Sequence, residues 1–363
     1  MTSMDPAALP EDDPAVIAAN VARLKILIAR LEPWFALLGL AWLAPLWRLM
    51  LGDAPRVQLR AIWRTLLVPL LAIVAFLALW ATLAPRVETS LGAIPGPAQV
   101  WQQVGVLRAD AQAERAREAA FYERQAERNA ELVAAGKADE VRNRSYAGKP
   151  TYVDQILTSL RTVFAGFVLA ALVAVPLGIL AGLSSTANAA LSPLIQVFRP
   201  VSPLAWLPIV TMTVSALYAG GEGALPRSFV VSAVTVMLCS LWPTLINTAL
   251  GVASIDRDLV NVGRVLKLGL WTRITRLVLP SALPLIFAGL RLSLGVGWMV
   301  LIAAEMLSQN PGLGKFVWDE FQNGSSDSLA RIMVAVLTIG IIGLLLDRVM
   351  VALQTLLTFD GRG

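Results

Sequence analysis

Residues 247–284 read NTALGVASIDRDLVNVGRVLKLGLWTRITRLVLPSALP and join two long apolar runs, Ser228–Ile255 and Leu277–Ala304. Connections between elements usually take about 4–6 residues. This one holds Arg257, Arg264, Lys267, Arg273 and Arg276 against only Asp256 and Asp258. A basic loop between two spans belongs on the cytoplasmic side under the positive-inside rule. Within it Leu259, Val262, Val265, Leu266 and Leu270 recur at helical spacing. The spacing predicts a short amphipathic helix with an apolar face, opened by Asp256 and Asp258. Such a helix either lies on a membrane surface or inserts into a groove of a soluble partner.

Outward from this loop, the uncharged runs define the fold class. Thr65–Pro85 holds 21 residues without a charge, Thr162–Phe198 holds 37, Pro200–Gly221 holds 22 and Ser228–Ile255 holds 28. Leu277–Ala304 is broken only by Arg291, and Ile332–Phe359 only by Asp347 and Arg348. About 20 apolar residues cross a bilayer core of roughly 30 Å. The 37-residue run is too long for one span and divides at Ser184–Asn188, its polar cluster. Six spans are therefore predicted, over 65–84, 156–182, 189–215, 228–248, 281–306 and 332–356. Loops 183–188 and 249–280 and the C-terminus are then inside, and 85–155, 216–227 and 307–331 outside. Pro33–Trp47 is a shorter apolar stretch, read as an extra N-terminal membrane helix or an interfacial one. Glu11, Asp12 and Asp13 stand where a signal peptide would be basic, so no cleaved leader is expected.

Composition agrees. Charged residues are 15% of the 363-residue chain and hydrophobic residues 56%, against about 25% charged in soluble proteins. Mean hydropathy is +0.67. The chain has no histidine and one cysteine, Cys239, so His-based catalysis, a Cys-only metal site and an internal disulfide are all excluded. No metal site or catalytic group is expected. The net charge of +5 is assigned to cytoplasmic loops rather than to nucleic-acid binding. The reading is an all-α polytopic membrane protein: a polar segment 1–33, an extra helix and basic loop 34–63, a first span and loop 64–105, a charged external insertion 106–150 and a transmembrane core 151–357. From Arg108 to Arg144 there are eight basic and eight acidic residues. Opposite charges there meet at i,i+3, as in Glu114–Arg117, which predicts a solvated helix.

Six charges fall within the predicted spans: Arg161, Arg199, Arg291, Glu305, Asp347 and Arg348. Arg199 and Arg291 lie about ten residues from the cytoplasmic starts of theirs, roughly 15 Å deep. A charge there costs about 2.5–3.5 kcal/mol or more, so each must face protein or water. They are candidates for an anion pathway. Pro200, Pro203 and Pro208 are expected to break the helix after Arg199. Glu305 lies near the outer end of its span and is a candidate outer gate. Asp347–Arg348 reads as a local ion pair. Gly289, Gly295 and Gly297 suggest close helix packing, and Gly312-Leu313-Gly314 a turn.

At the loop the sequence resembles the permease subunits of ABC importers, whose pattern is E-A-A, three residues, G, nine residues, I-x-L-P. Asn261-Val262-Gly263 take the E-A-A place, Lys267 the glycine place and Leu277-Val278-Leu279-Pro280 the ending. The acidic residue and the glycine are absent. Phe198–Ile209, Ala288–Leu307, Gly312–Asn323 and Gly343–Met350 are similar to the nitrate/sulfonate/bicarbonate branch, and nitrate-type permeases are the nearest within it. The resemblance implies a plasma (inner) membrane permease, paired as a homodimer, that imports a small anion such as nitrate. It implies an external substrate-binding protein and a cytoplasmic ATPase subunit that binds the ATP. Asp258, Asn261, Val262, Gly263, Arg264, Leu266, Lys267, Gly269 and Pro280 would form the contact with that ATPase. The chain has no G-x-x-x-x-G-K-[ST] element of its own. Sulfonate, taurine, bicarbonate or cyanate import, and a membrane scaffold role, are the alternatives.

Overall fold

The computed structural model describes residues 14–37, 39–89, 92–218, 225–325 and 327–358. The chain divides into two units, up to Leu83 and from Ala84 onward.

In the first unit, α1 (Pro14–Leu37) and α2 (Leu43–Met50) are joined by an Arg48–Glu32 ion pair. Lys25 reaches Asp53 at 3.2 Å. The apolar stretch 33–47 is thus shared between the end of α1 and the start of α2, and is not one helix. Each helix contributes only part of the stretch read as an extra membrane helix or an interfacial one. α3 (Pro55–Ile62), a π-helical turn (Trp63–Leu67) and α4 (Val68–Leu83) follow in succession. α4 carries the first predicted span.

The second unit opens with a two-residue hairpin, β1 (Glu88–Thr89) against β2 (Gly92–Ala93). α5 (Pro97–Ala134) then runs for 38 residues, starting about ten residues before the charged insertion read from the sequence. Gln99 Oε1 accepts from Gly96 N–H at 3.0 Å and closes its first turn. The chain returns along α5 as an extended strap. Arg144 N–H donates to Gln125 Oε1 at 2.9 Å, Tyr146 N–H to the Tyr122 hydroxyl at 3.2 Å, and the Tyr146 hydroxyl to Glu114 Oε1 at 2.8 Å. The Tyr146 hydroxyl, with Arg117 beside it, holds the Glu114 carboxyl below the usual range, and Glu114 in turn raises Tyr146. The expected i,i+3 pair Glu114–Arg117 is formed at 2.9 Å.

The apolar core follows: α6 (Tyr152–Leu183), α7 (Ser185–Phe198), α8 (Pro203–Leu217), α9 (Arg227–Ala253), α10 (Arg257–Val265), α11 (Leu270–Arg273), α12 (Leu279–Ser308), α13 (Leu313–Asn323) and α14 (Ser328–Leu357). Among the described residues five helices are long and apolar enough to cross a membrane, or six if the bent pair α7–α8 counts as one span. The chain is therefore an all-α, multi-pass membrane protein. With the bent pair counted as one span the number is the six predicted, and the core helices run up to about a turn beyond the predicted spans. The third differs: residues 189–215 are not one helix but two, bent by 102°. Pro200 and Pro203 explain the break, since one cannot donate a helical hydrogen bond and the other starts α8. Pro208, expected to help break it, lies inside α8.

α9 sits between α6 and α12. Gly166, Ala170, Ala174, Gly178 and Gly182 fall every fourth residue on α6 and make a smooth stripe. A Cβ on Gly178 would stand 2.6 Å from Thr248 Cβ, and one on Gly182 2.5 Å from Val252 Cβ. Gly289 lets α12 approach Asn247 as closely. Gly295, read as a packing glycine, faces open space instead. Without a hydrophobic drive between helices in lipid, close packing and buried hydrogen bonds hold the bundle. Thr244 and Ser293 hydroxyls meet at 2.7 Å between α9 and α12, and Ser293 also donates to the Ser240 carbonyl.

Candidate functional site

The loop between α9 and α12 begins with Asp256, whose Oδ1 accepts from Asp258 N–H at 3.0 Å. That bond caps α10. The helix ends at Val265, so Leu266 and Leu270 of the predicted apolar series lie beyond it. Its end is a Schellman motif: Leu268 N–H donates to the Gly263 carbonyl at 3.1 Å across Lys267, which has φ +50°. Lys267 thus holds the left-handed conformation that favours glycine, at the place where the importer pattern has glycine. The departure leaves the backbone shape intact at a cost of about 1–2 kcal/mol. Replacing Lys267 with Gly is expected to stabilise this loop end by about 0.5–1 kcal/mol. The measurement is slower amide hydrogen exchange at Leu268; unchanged exchange would show that the left-handed turn carries no strain.

Gly263 is buried, with Leu277 Cδ1 3.5 Å from where its Cβ would be. Asp258 and Asn261 are exposed, Gly269 precedes α11 as its cap, and Pro280 sits in the first turn of α12. The side chains of Val262 and Arg264 lie outside the described residues. From the last residue of the helix onward the apolar side chains are bare: Val265 is 80% exposed, Leu266 63%, Leu270 72% and Trp271 77%. A soluble surface does not ordinarily gather four such residues in seven positions.

Arg199 stands at the α7–α8 break, exposed and without an ion pair among the described residues. Ser202 Oγ accepts from Leu204 N–H at 3.3 Å and caps α8 beside it. Phe198 stacks on Trp242 with ring centroids 6.2 Å apart. Arg291 is placed differently from the free cation read in the sequence. Its Nε and Nη2 donate to the two carboxylate oxygens of Asp347, the second at 2.7 Å. Asp347 therefore pairs across helices with Arg291, a partner beyond the local pairing with Arg348 read from the sequence.

Glu305 is fully buried. The Ser159 hydroxyl lies 2.9 and 2.8 Å from its carboxylate oxygens, and Gly314 N–H donates to Oε2 at 3.0 Å. Ser159 Oγ also accepts from Leu313 N–H at 2.9 Å, and Asn310 Nδ2 from the same loop reaches Thr162 Oγ1 at 3.1 Å. A Cβ on Gly312 would stand 2.2 Å from Glu305 Oε1, and one on Gly314 2.2 Å from the Ile302 carbonyl. The two glycines are there because the turn lies directly on the carboxylate. Glu305, the candidate outer gate, is thus an enclosed carboxylate that staples the 309–314 turn and α13 onto the end of the bundle opposite the basic loop. Nothing in the sequence pattern pointed to Ser159 or Asn310 beside Glu305, or to Asp347 opposite Arg291. Among the described residues no three His, Cys, Asp or Glu side chains are grouped to hold a metal ion.

A bundle of membrane-spanning helices with a broken span and a bare amphipathic loop defines a multi-pass membrane protein. Residues 174–359, half of the chain, match the family described as binding-protein-dependent transport system inner membrane component, and the chain belongs to that family. It is 41% identical over 202 residues to the nitrate import permease protein NrtB of Synechocystis sp., covering 56% of this chain and 68% of that relative. To the NrtB of Synechococcus elongatus it is 39% identical over 194 residues, 53% of this chain and 66% of the relative. The bicarbonate transport system permease protein CmpB of Synechococcus elongatus is 42% identical over 201 residues, 55% and 67% of the two chains. The chain thus spans about two thirds of the length of these relatives, and slightly less for the Synechococcus NrtB.

Proposed function

We propose that this chain is the membrane-spanning subunit of an ATP-driven importer of a small planar oxyanion, nitrate first and bicarbonate second. One observation carries the coupling: the bare apolar end of α10 and α11, on the loop that follows the importer pattern. A cytoplasmic ATPase subunit fits this end by taking an amphipathic helix into a groove. ATP is bound there and not by this chain. Two permease copies pair in the plasma membrane, and an external binding protein delivers the anion at the α13 end. Arg199, beside the capped start of α8 in a discontinuous span, supplies positive potential to the pathway. The relatives are named for nitrate and for bicarbonate at nearly equal identity, 41% and 42%. Both anions are trigonal and planar, and the reading rests on that shared chemistry.

The test is ATPase activity and uptake by the complete complex in lipid vesicles. The panel is nitrate, nitrite, bicarbonate, cyanate, taurine and an alkanesulfonate. Stimulation by nitrate or bicarbonate is expected. Stimulation by the sulfonates alone would move the substrate to the sulfonate branch. A complex that assembles without an ATPase subunit would revive the scaffold reading.

A further inference from the structure

The Arg291–Asp347 pair lies deep in the bundle yet is not enclosed by it. Arg291 is twelve residues past the start of α12 and Asp347 ten before the end of α14. At 1.5 Å per residue both lie roughly 15–18 Å from the ends of their helices on the basic-loop side. Their side chains remain 45% and 37% exposed. Charges at that depth do not face lipid without a cost of about 2.5–3.5 kcal/mol each. This face of α12 and α14 is therefore covered by water or by another protein surface, as a pathway between two permease copies would be.

The pair is not needed to hold the two helices together. Trp298 Nε1 donates to the Ile339 carbonyl at 2.9 Å across the same seam, and Gln354 Nε2 reaches the Pro284 carbonyl at 3.5 Å. The approach to the pair is also open. Gly295 lies one turn along α12 from Arg291, and Gly340 two turns along α14 from Asp347. Nothing lies within 4 Å of where a Cβ would stand on either glycine.

The geometry of the pair names its ligand. A guanidinium presents parallel N–H donors in a plane, and a carboxylate accepts them with two coplanar oxygens. A trigonal oxyanion such as nitrate or bicarbonate offers the same two-oxygen edge. Asp347 thus occupies the Arg291 fork in the way a planar oxyanion would. We propose that Asp347 is an internal counter-ion that an entering planar oxyanion displaces from Arg291, making the pair an anion site in the transport pathway. The fork is filled by Asp347 when no anion is bound and takes on the anion only by releasing a carboxylate. Spherical chloride offers no such two-oxygen edge. This inference rests on the oxyanion-importer reading given above.

The experiment uses the complete complex in vesicles, with nitrate and bicarbonate as substrates and chloride and sulfate as competitors. Three variants are compared with the wild type: Arg291→Lys, Asp347→Asn, and the exchange of Arg291→Asp with Asp347→Arg. Arg291→Lys keeps the charge and loses the fork; uptake is expected to fall roughly tenfold or more, the worth of a charge-assisted bidentate contact. Asp347→Asn removes the competitor, so the half-saturating anion concentration is expected to fall by about tenfold. The exchange keeps an ion pair on the seam but moves the fork to α14. It is expected to co-purify with its partners and to remain defective in uptake. Uptake restored to the wild-type rate by the exchange would overturn the inference and leave a helix clamp. If the exchange does not assemble, Arg291→Lys decides alone, and uptake within twofold of wild type overturns it. A wild-type complex that imports none of the planar oxyanions would remove the functional reading first, an outcome distinct from any variant result.

Discussion

Replacing Glu305 with Ala is expected to destabilise the α12–α13 end of the bundle by roughly 3–5 kcal/mol, as loss of a buried group that satisfies several donors does. The carboxylate is wholly enclosed and is the acceptor for Gly314 N–H and the Ser159 hydroxyl. Removing it leaves those donors without partners in a place water does not reach, at about 1–3 kcal/mol each. It also opens a cavity where Gly312 and Gly314 now rest against the carboxylate and its stem. Glu305→Gln is expected to cost only about 1 kcal/mol. Its amide oxygen accepts from Gly314, and its amide group donates to Ser159 Oγ, which has lone pairs for that role. The difference between the two variants is the informative quantity. Thermal unfolding in detergent gives the global effect, and amide exchange at Leu313 and Gly314 gives the local one. If Ala and Gln behave alike, the hydrogen bonds are not what fixes the turn. Gly314→Ala addresses the same contact from the other side. Its methyl would stand 2.2 Å from a backbone carbonyl of α12, which has little freedom to withdraw.

The membrane spans were legible because hydrocarbon imposes a simple rule: about 20 residues in a row must lack charge. Every core helix that obeys it was found. The α7–α8 break was legible only in part. Apolar composition is the same on both sides of it, and proline by itself does not mark a break, since Pro176, Pro193, Pro208, Pro243 and Pro284 all lie inside helices. In a membrane bundle neighbouring helices satisfy the freed carbonyls. Two prolines within four residues, Pro200 and Pro203, mark the place where the chain turns. The depth of Arg291 and Glu305 could be read by counting along a helix. Their partners could not, because Asp347 is 56 residues from Arg291 and Ser159 is 146 from Glu305. The glycine of the importer pattern is the converse case. Spacing located it at Lys267, and the structure supplies the reason, a left-handed turn that the lysine also adopts.

Leu266→Asp is expected to abolish anion uptake while leaving the chain folded. Leu266 is 63% exposed, just beyond the end of α10, with Val265 and Leu270 equally bare on either side. A surface residue in this position contributes little to the fold of the chain itself, and a polar replacement should shift its stability by no more than about 0.5 kcal/mol. In a groove of the ATPase the balance is different. Fully burying a leucine side chain is worth about 1.5–3 kcal/mol, and an aspartate in its place must be desolvated without a partner. Together these weaken the contact by roughly 3–5 kcal/mol, about two to four orders of magnitude in affinity. The ATPase subunit should then fail to co-purify, and uptake should be lost with it. Leu266→Met, which keeps the apolar volume, should retain both. Lys267→Gly provides an internal contrast, since it alters the backbone turn but not the apolar face. A complex of Leu266→Asp that stays assembled and imports at the wild-type rate would place the coupling contact elsewhere. The bare side chains of α10 and α11 would then be a surface for lying on the membrane, the other use open to a short amphipathic helix on a basic loop.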